Sequence, residues 1–391
     1  MCQNIPDESI QISIQKLEEY IFSEKFKGYD PYDALSSPIF NFPLFNRIRT
    51  IKFISQQIIR RLPINLRPLI LIKKGYNPVT AGLLLQASTY LSKALKSKVD
   101  YYENNIALFM DDLKKMKSKG YSGYCWGYDF NWEGRLSSIP AYMPTIVATG
   151  FVSNALFENY MLTNNKEALE ICKSSVDFIK NDINKTYFNG LFCYSYSPRD
   201  NQVVFNATMK GARLLAQIYS LTKDQNLLKE ACKTVQFVIN NQQENGSWFY
   251  SLGDGRLWID NYHTCYILDS LYTYIKLTGD RTFEKNLEKG IDFYVSNFFE
   301  KKEIPKYYHN SLYPIDTTAA AASIITLTRF NYFELAENII YYMIKEMQDT
   351  SGYFYYQNNK RYKNKISYMR WSNAWMYLAM SYFIYKKEKN L

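Results

Sequence analysis

The feature that most constrains the fold of this chain is a repeat. From residue 77 onward, apolar runs with helical periodicity begin about every 55 to 65 residues, near Asn77, Tyr142, Phe205, Ile259, Ile315 and Arg370. A period of this length accommodates two helices and their connecting turns. The repeat therefore predicts that the 391 residues form one domain of successive helical hairpins, spanning 1–391.

Three of the apolar runs close with nearly the same turn. The sequences are Leu-Thr-Asn-Asn at 162–165, Leu-Thr-Lys-Asp at 221–224 and Leu-Thr-Gly-Asp at 277–280. A recurring stop signal indicates structurally equivalent corners. Each corner is followed by a second helical run with charged residues on one side, and two further runs of this kind occur at 101–118 and 331–348.

The two helices of each predicted pair differ in composition. The first carries small residues, such as Gly150, Gly211 and the alanines at 319–322, which suit crowded helices at a centre. The second is amphipathic, as expected of an outer ring. With residues 8–23 supplying the missing partner, six inner and six outer helices predict an all-α fold, an (α/α)6 toroid of six helical hairpins. Only short β segments, such as 191–197, are expected in its loops.

Charge and cysteine usage restrict the environment and the partners. The net charge of +10 and the pI near 9 favour an anionic partner, whereas no nucleic-acid-binding motif occurs, so nucleic acid is not expected. The six cysteines are scattered without metal-ligand spacing and are interpreted as free thiols. No signal peptide or membrane span is apparent, which predicts a cytoplasmic location. No cofactor and no metal site are predicted.

Residues 38–76 are basic and apolar in alternation. Their eight Lys and Arg residues alternate with Phe, Ile and Leu, and the nearest acidic residues lie upstream. Such a stretch can lie on an anionic membrane, here through 38–74 at the inner membrane face. The alternative is a helix that packs on the main body with a solvated basic face.

In a toroid the inner helices start at one end, so the loops before them should form one cleft. Nearly all the Trp residues and both His residues lie in these loops. Aromatic faces suit sugar rings, while amides and guanidinium groups bind hydroxyls or a carboxylate. The predicted substrate-binding residues are Trp126, Tyr128, Trp132, Trp248, Tyr250, Arg256, Trp258, Asn261, Tyr308, His309, Arg370 and Trp371. The alternative for any aromatic residue among them is a structural role between adjacent loops.

Two chemistries are open for the cleft. A glycosidase needs two carboxyl groups across it, and the loops offer Asp129 or Glu133 opposite Asp260 or Asp316. Asp260 and Asp316 also stand where helix N-caps are expected. Tyr262 and His263 offer instead a base and a second proton donor for abstraction of a proton α to a carboxylate, and a structural hydrogen-bonding role is the alternative for His263.

The chain resembles the six-hairpin, (α/α)6-toroid carbohydrate-active proteins in its six-pair layout, its Trp- and Tyr-rich loops and its Leu-Thr-Gly-Asp turn. The stretch Tyr262-His263-Thr264 is similar to a Tyr-His-Thr stretch in the helical domain of D-glucuronyl C5-epimerases. The sequences at 64–68 and 75–78 are similar to uncharacterised toroid proteins of bacterial surface-polysaccharide gene clusters. No β domain precedes the repeat, unlike in the C5-epimerases.

The resemblance implies that the chain processes an acidic oligo- or polysaccharide. Glycosidic bond cleavage is the first hypothesis, with His263 and Tyr262 positioning the sugar. A uronate C5 epimerase or polysaccharide lyase that uses Tyr262 and His263 is the second. A non-catalytic glycan-binding or assembly protein of polysaccharide biosynthesis is the third.

Overall fold

The computed structural model describes residues 8–389 except residues 43, 44 and 46; Cys2 and those three positions of the basic segment lie outside the described residues. The described residues form thirteen α-helices. In chain order they are α1 (Glu8–Ser23), α2 (Arg49–Arg61), α3 (Pro78–Ala94), α4 (Val99–Lys115), α5 (Ile146–Thr163), α6 (Lys166–Asn181), α7 (Phe205–Thr222), α8 (Gln225–Ile239), α9 (Asn261–Thr278), α10 (Glu284–Asn297), α11 (Thr317–Arg329), α12 (Phe333–Met347) and α13 (Trp375–Lys389).

Twelve of these helices form two concentric rings. The inner ring consists of α3, α5, α7, α9, α11 and α13, each of which contacts the next, and α13 contacts α3 to close the ring. The outer partners are α1, α4, α6, α8, α10 and α12. This arrangement is an (α/α)6 toroid, and the predicted fold class is confirmed.

The burial of the helices explains the two sequence types. Every residue of α11 from Thr317 to Thr328 is buried, because small side chains let neighbouring inner helices approach closely. In α8 the buried residues Leu227, Ala231, Val235 and Val238 recur every three or four positions, so a single face packs inward. Inner helices are therefore buried on all sides, with a few charged residues such as Lys210 and Asp269 enclosed among them, and outer helices keep a solvated charged face.

The three recurrent turns have the same geometry. Asn164, Lys223 and Gly279 each follow the last helical residue and adopt left-handed φ values of 59°, 61° and 76°. The threonine before each donates its hydroxyl hydrogen to the carbonyl oxygen four residues earlier, at 2.7, 3.0 and 2.7 Å. The shared turn sequence therefore marks equivalent helix ends, since one residue must reverse the chain into the outer helix.

Short antiparallel strands occur only in the loops of the described chain. They are β1 (Trp132–Glu133), β2 (Ser138–Ile139), β3 (Lys185–Phe188), β4 (Leu191–Tyr194), β5 (Phe299–Glu300), β6 (Ile304–Pro305), β7 (Ile315–Asp316), β8 (Tyr355–Asn358) and β9 (Lys363–Ser367). Three two-stranded pairs form from β1 to β6, and β7, β8 and β9 form one sheet. The described cysteines have free thiols.

Helix α2 belongs to neither ring and packs against the loops. The side-chain amide of Gln56 bonds both the backbone carbonyl and the backbone N–H of Glu133, each at 3.2 Å. Past the helix, the buried Arg67 donates to Asp33 at 2.7 Å. The basic segment thus packs on the main body. Its basic side chains are not all solvated, because several of them point toward the protein. Over the described residues, the helices are too short or too polar for any of them to cross a membrane.

Candidate functional site

A cavity of about 400 Å3 opens at the end of the toroid where the inner helices begin. Each of the six loops that lead into an inner helix contributes to its lining, as does α2. The positive ends of the inner-helix dipoles also point to this end. The convergence of the loops explains why the chain concentrates aromatic residues in them.

Twelve of the eighteen predicted site residues line this cavity. They are Tyr128, Trp132, Glu133, Tyr250, Arg256, Trp258, Asp260, Tyr262, His263, Tyr308, Arg370 and Trp371. The other six, Asp129, Asp316, Trp126, Trp248, Asn261 and His309, lie outside its lining.

His263 and Asp260 form a hydrogen-bonded pair at the start of α9. One carboxylate oxygen of Asp260, Oδ1, accepts from the backbone N–H of His263 at 3.0 Å and so caps the helix. The other, Oδ2, lies 2.6 Å from Nδ1 of the His263 ring. Because a carboxylate only accepts, Nδ1 carries the hydrogen, and Nε2 is left with a lone pair in neutral His263.

Neighbouring side chains fix this pair. Trp258 donates its indole N–H to Oδ2 of Asp260 at 3.0 Å. The rings of Tyr250 and Tyr262 lie 4.6 and 4.3 Å from the His263 ring, measured between centroids. Asp260 is 3% exposed, whereas the side chain of His263 is 20% exposed. The carboxylate is thus enclosed, while the imidazole reaches the cavity.

Two tyrosine hydroxyls meet in the cavity lining. The hydroxyl oxygens of Tyr262 and Tyr307 are 3.0 Å apart, and both side chains line the cavity. Burial raises the pKa of Tyr262 well above its usual range, and it does the same for Tyr307. Both phenols are therefore protonated at neutral pH and can donate a hydrogen bond or a proton.

Cations dominate the charge of the cavity lining. Its charged residues are five arginines, Arg60, Arg61, Arg135, Arg256 and Arg370, and two carboxylates, Asp260 and Glu133. Both carboxylates are already engaged by neighbouring groups. The guanidinium group of arginine can donate two parallel hydrogen bonds to a carboxylate. The cavity therefore has the charge expected of a site for an anionic ligand.

Two of the arginines are held in place by acids outside the cavity. Arg370 makes a two-point ion pair with Asp30, at 2.6 and 2.9 Å, and its guanidinium group lies 4.9 Å from the ring centroids of Tyr128 and Trp371. Arg256 pairs with Asp254. These partners fix guanidinium groups on the cavity wall before any ligand binds.

Aromatic rings line much of the remaining wall. Tyr250 and Trp258 stack with centroids 4.8 Å apart and planes at 22°. Trp371 contacts Tyr32 and Tyr262 edge to face, at 5.6 Å each. Such walls can bind the apolar faces of sugar rings.

Glu133 lines the cavity but is fully engaged. It is 1% exposed and accepts from Arg49 at 2.6 Å and from Ser138 at 2.9 Å, with Lys52 at 3.3 Å. Its carboxylate oxygens are thus occupied by two cations and a hydroxyl, which leaves it poorly placed to donate a proton to a ligand.

Asp129 lies in a second cavity, about 320 Å3 in volume, on the other side of Arg370. It accepts from the side-chain amide of Asn77 at 3.0 Å, and burial raises its pKa. Because the two cavities share only Phe130 and Arg370 as lining residues, Asp129 does not face Asp260 across the main cavity.

Asp316 is fully buried at the N-terminus of α11. Its Oδ1 accepts from the backbone N–H of Ala319 at 3.0 Å, and its Oδ2 accepts from the amide of Gln357 at 2.7 Å. Burial raises the pKa of Asp316 to about 6. The side chain connects the helix cap to the β8 strand, which is the helix-capping role left open by the sequence.

Four predicted binding residues have structural contacts. The buried indoles of Trp126 and Trp248 donate to the backbone carbonyls of Leu113 and Val238, both at 2.9 Å, near the ends of α4 and α8. The buried amide of Asn261 donates to the carbonyl of Lys306 at 3.0 Å. Nδ1 of His309 lies 3.3 Å from the carbonyl oxygen of Ile259. These contacts fasten neighbouring repeats together.

Several cavity residues were not among the predicted site residues. They include Tyr32, Arg60, Tyr196 and Tyr307. Tyr307 directly precedes the predicted Tyr308 and could have been found by considering both tyrosines of that pair. Arg60 lies on α2, whose place over the cavity has no periodic signal in the sequence, because α2 is an insertion into the repeat.

Comparisons with solved structures agree with the fold. The cellobiose 2-epimerase from Bacillus thermoamylovorans matches with a TM-score of 0.62 and 13% identity, over 81% of this chain and 88% of that one. A possible member of the GH105 family from Salmonella enterica serovar Paratyphi A matches with a TM-score of 0.61 and 11% identity, over 98% and 96%. The GH76 α-mannanase from Bacteroides thetaiotaomicron matches with a TM-score of 0.57 and 14% identity, over 80% and 87%.

At these identities the likeness establishes the shared (α/α)6-toroid fold, as the sequence resemblance predicted. No protein-family model matches the chain, and no curated protein sequence does either.

Proposed function

We propose that this protein is an enzyme that abstracts a proton α to the carboxylate of an acidic saccharide, leading to C5 epimerisation or β-elimination. The observation that carries the proposal is the imidazole of His263, positioned by Asp260 in a cationic cavity that two protonated tyrosines also line. Solved proteins of this fold include a cellobiose 2-epimerase and a possible member of the GH105 family, which supports a saccharide as the substrate.

In the proposed mechanism, Nε2 of His263 removes the proton from C5 of a uronate. The electron pair of the broken C–H bond moves into the carboxylate and forms an enolate. Asp260 stabilises the imidazolium that results, because its carboxylate already accepts from Nδ1. A cavity arginine such as Arg60 or Arg256 neutralises the charge on the enolate.

The enolate can then react in two ways. If the hydroxyl of Tyr262 gives its proton to the opposite face of C5, the product is the epimer. If the electron pair returns to form a C4–C5 double bond and the tyrosine proton goes to the leaving oxygen at C4, the product is an unsaturated uronate. The Tyr262–Tyr307 contact suits either reaction, since Tyr307 can donate to the phenolate as it forms.

Glycosidic hydrolysis remains a second candidate, supported by the solved structure titled a GH76 α-mannanase. Its carboxyl pair within the cavity would be Glu133 and Asp260. The acid of such a pair must be protonated at the start of the reaction. Glu133 faces two cations, and Asp260 accepts from the helix, His263 and Trp258. These partners favour proton abstraction over hydrolysis. A glycan-binding protein without catalysis is the third candidate.

Solvent isotope exchange tests the proposal. In D2O, the protein incubated with glucuronate- and iduronate-containing oligosaccharides should either introduce deuterium at C5, as in epimerisation, or form a C4–C5 unsaturated uronate, as in elimination, measured by NMR and mass spectrometry. We expect His263→Ala to abolish the exchange, while an exposed control, Met161→Ser near the C-terminal end of α5, retains it. Release of new reducing ends with neither deuterium at C5 nor a C4–C5 unsaturated uronate would instead establish hydrolysis. Saccharide binding without either reaction would leave the binding-protein hypothesis.

A further inference from the structure

Helix α2 turns its polar side toward the protein. Arg49, Lys52, Gln56 and Arg60 recur at helical spacing and lie on this inward side. The first three contact Glu133, either its carboxylate or its backbone. The guanidinium group of Arg60 lies 4.7 Å from the ring centroid of Tyr32. The inward side of the helix is therefore held by ion pairs, hydrogen bonds and a cation–π contact.

The outward side of the same helix is aliphatic. Ile54 is 50% exposed and Ile58 is 53% exposed, one turn apart, and exposed arginines stand before and after them at Arg47 and Arg61. A surface helix in water normally has the reverse orientation, with apolar residues inward and charges outward. An outward aliphatic stripe lowers the free energy of the folded protein only if something covers it.

The exposed aliphatic character continues along the chain after α2. Ile64 is 68% exposed, Leu69 is 78% exposed and Leu71 is 67% exposed, and Lys73 beside them is exposed as well. We call the outward side chains of residues 47–73 the basic aliphatic surface.

Charge indicates what covers this surface. Residues 38–76 contain eight Lys and Arg residues and no Asp or Glu, so they supply +8 of the net +10. Five of these cations, at positions 49, 52, 60, 67 and 74, are engaged with the protein. Among the described residues, Arg47, Arg61 and Lys73 have no acidic partner within ion-pair distance. They remain available to an anionic partner.

We propose that the basic aliphatic surface docks on an anionic lipid bilayer. Aliphatic side chains that enter the lipid interface, with arginine and lysine at the headgroups, are the two components of interfacial binding. A second copy of the chain would bring two segments of like charge together, which opposes self-association through this surface. The inference does not depend on the proposed reaction. Because the inward side of α2 lines part of the cavity, docking brings the cavity close to the membrane surface.

Vesicle co-sedimentation of the full chain, without saccharide, tests the proposal. Vesicles of phosphatidylcholine with about 30% phosphatidylglycerol supply the negative surface, and pure phosphatidylcholine vesicles are the comparison. We expect binding to the anionic vesicles only. The double variant Ile54→Ser/Ile58→Ser should weaken that binding about ten-fold, because it removes two aliphatic side chains from the interface. The triple variant Arg47→Gln/Arg61→Gln/Lys73→Gln should reduce it at least as much.

A matched control removes exposed aliphatic residues elsewhere. Leu108 on the outer helix α4 is 42% exposed, and Met161 on the inner helix α5 is 52% exposed. Neither belongs to the basic aliphatic surface, so the double variant Leu108→Ser/Met161→Ser should bind vesicles like the unchanged protein. All these positions are exposed, so unchanged circular dichroism and Tm will verify folding. A fluorescent reporter, Ile58→Trp, should shift its emission to shorter wavelength on anionic vesicles.

Three results would overturn the proposal. The first is no binding of the unchanged protein to anionic vesicles. The second is binding that the Ile54→Ser/Ile58→Ser variant retains in full, which would mean adsorption by net charge alone. The third is a dimer in light scattering that this variant converts to monomer while vesicle binding is absent, which would make the surface a contact between copies.

Discussion

Oδ2 of Asp260 lies 2.6 Å from Nδ1 of His263, while Oδ1 of the same carboxylate caps helix α9. One side chain thus sets the position of the helix and the orientation of the imidazole together. Since the two residues are three positions apart in a helical first turn, the orientation is built into the local backbone. Nε2 is the nitrogen left for chemistry in the cavity.

Asp260→Asn separates these two roles. Asparagine caps helices about as well as aspartate, so we expect a Tm within a few degrees of the unchanged protein. It cannot stabilise the imidazolium, so we expect kcat to fall about 10²- to 10⁴-fold. The measurement is the rate of C5 deuterium exchange, with His263→Ala as the reference for complete loss. Unchanged kcat would contradict the assigned role of Asp260.

Tyr262→Phe and Tyr307→Phe test the hydroxyl pair. Each variant loses one side of a buried hydrogen bond, which should cost about 1–2 kcal/mol in the free energy of unfolding. We expect Tyr262→Phe to lower kcat more than Tyr307→Phe, because the Tyr262 hydroxyl is the proposed proton donor and Tyr307 only donates to the phenolate that forms. Denaturant unfolding and exchange kinetics measure the two effects. Equal activity of both variants and the unchanged protein would exclude a tyrosine proton donor.

The pH dependence of the reaction provides a separate test of Tyr262. Burial raises the pKa of Tyr262 well above the ordinary 10.0 of tyrosine. The acid form is the proton donor, and it persists above the pH at which an exposed tyrosine ionises. We therefore expect no loss of kcat through tyrosine ionisation up to about pH 10. A decline centred below pH 9 that Tyr262→Phe abolished would contradict this expectation.

Asp316 should make stability depend on pH. Burial raises its folded-state pKa to about 6 from the ordinary 3.8, so the folded protein binds this proton more tightly than the unfolded chain. Its contribution to the free energy of unfolding is therefore present at low pH and is lost as pH rises from about 4 to about 6, by at most about 3 kcal/mol. Asp316→Asn should show no such loss.

The measurement is urea unfolding of the unchanged protein and Asp316→Asn at several pH values. The free energy of unfolding of the variant, relative to the unchanged protein, should increase from pH 4 to pH 7. A difference that stayed constant across this range would mean that Asp316 does not titrate as expected.

Glu133→Gln distinguishes the two candidate reactions. If the cavity performs proton abstraction, Glu133 only anchors α2, and kcat should fall less than about ten-fold, with a stability loss of about 1 kcal/mol. If the cavity hydrolyses glycosides with Glu133 as the acid or base, loss of the carboxyl group should reduce kcat by about 10³-fold or more. The measurements on this variant are deuterium exchange at C5, formation of unsaturated uronate and release of reducing ends. Arg49→Ala is the control for loosening of α2.

Tryptophan substitutions distinguish residues with a structural role from residues that act in the cavity. Trp126→Phe and Trp248→Phe should each lower the free energy of unfolding by about 1–3 kcal/mol and leave kcat/KM unchanged, because both indoles bond only the helix before them. Trp258→Phe should instead lower kcat/KM, because Trp258 bonds Asp260 and lines the cavity. Thermal melts and exchange rates measure both effects. Loss of activity with retained stability in Trp126→Phe would contradict this division.

The repeat itself determined the toroid. Each hairpin contains its own periodicity, turn sequence and composition, and local patterns of that kind can be read without knowledge of distant contacts. The left-handed residues Asn164, Lys223 and Gly279 confirm that the recurrent turns are equivalent. The order of the loops around the ring follows, and with it the expectation of one aromatic cleft.

Only the tertiary structure decided which loop side chains enter the cavity. Trp126 and Trp258 both lie in aromatic loops that lead into inner helices, yet one bonds the carbonyl of Leu113 and the other contributes to the cavity wall. Helix α2 was the least predictable element, because an insertion has no repeat to fix its orientation. Its inward polar side arises from long-range partners such as Glu133, 77 positions from Gln56. Side-chain direction depends on such contacts, and sequence spacing alone does not contain them.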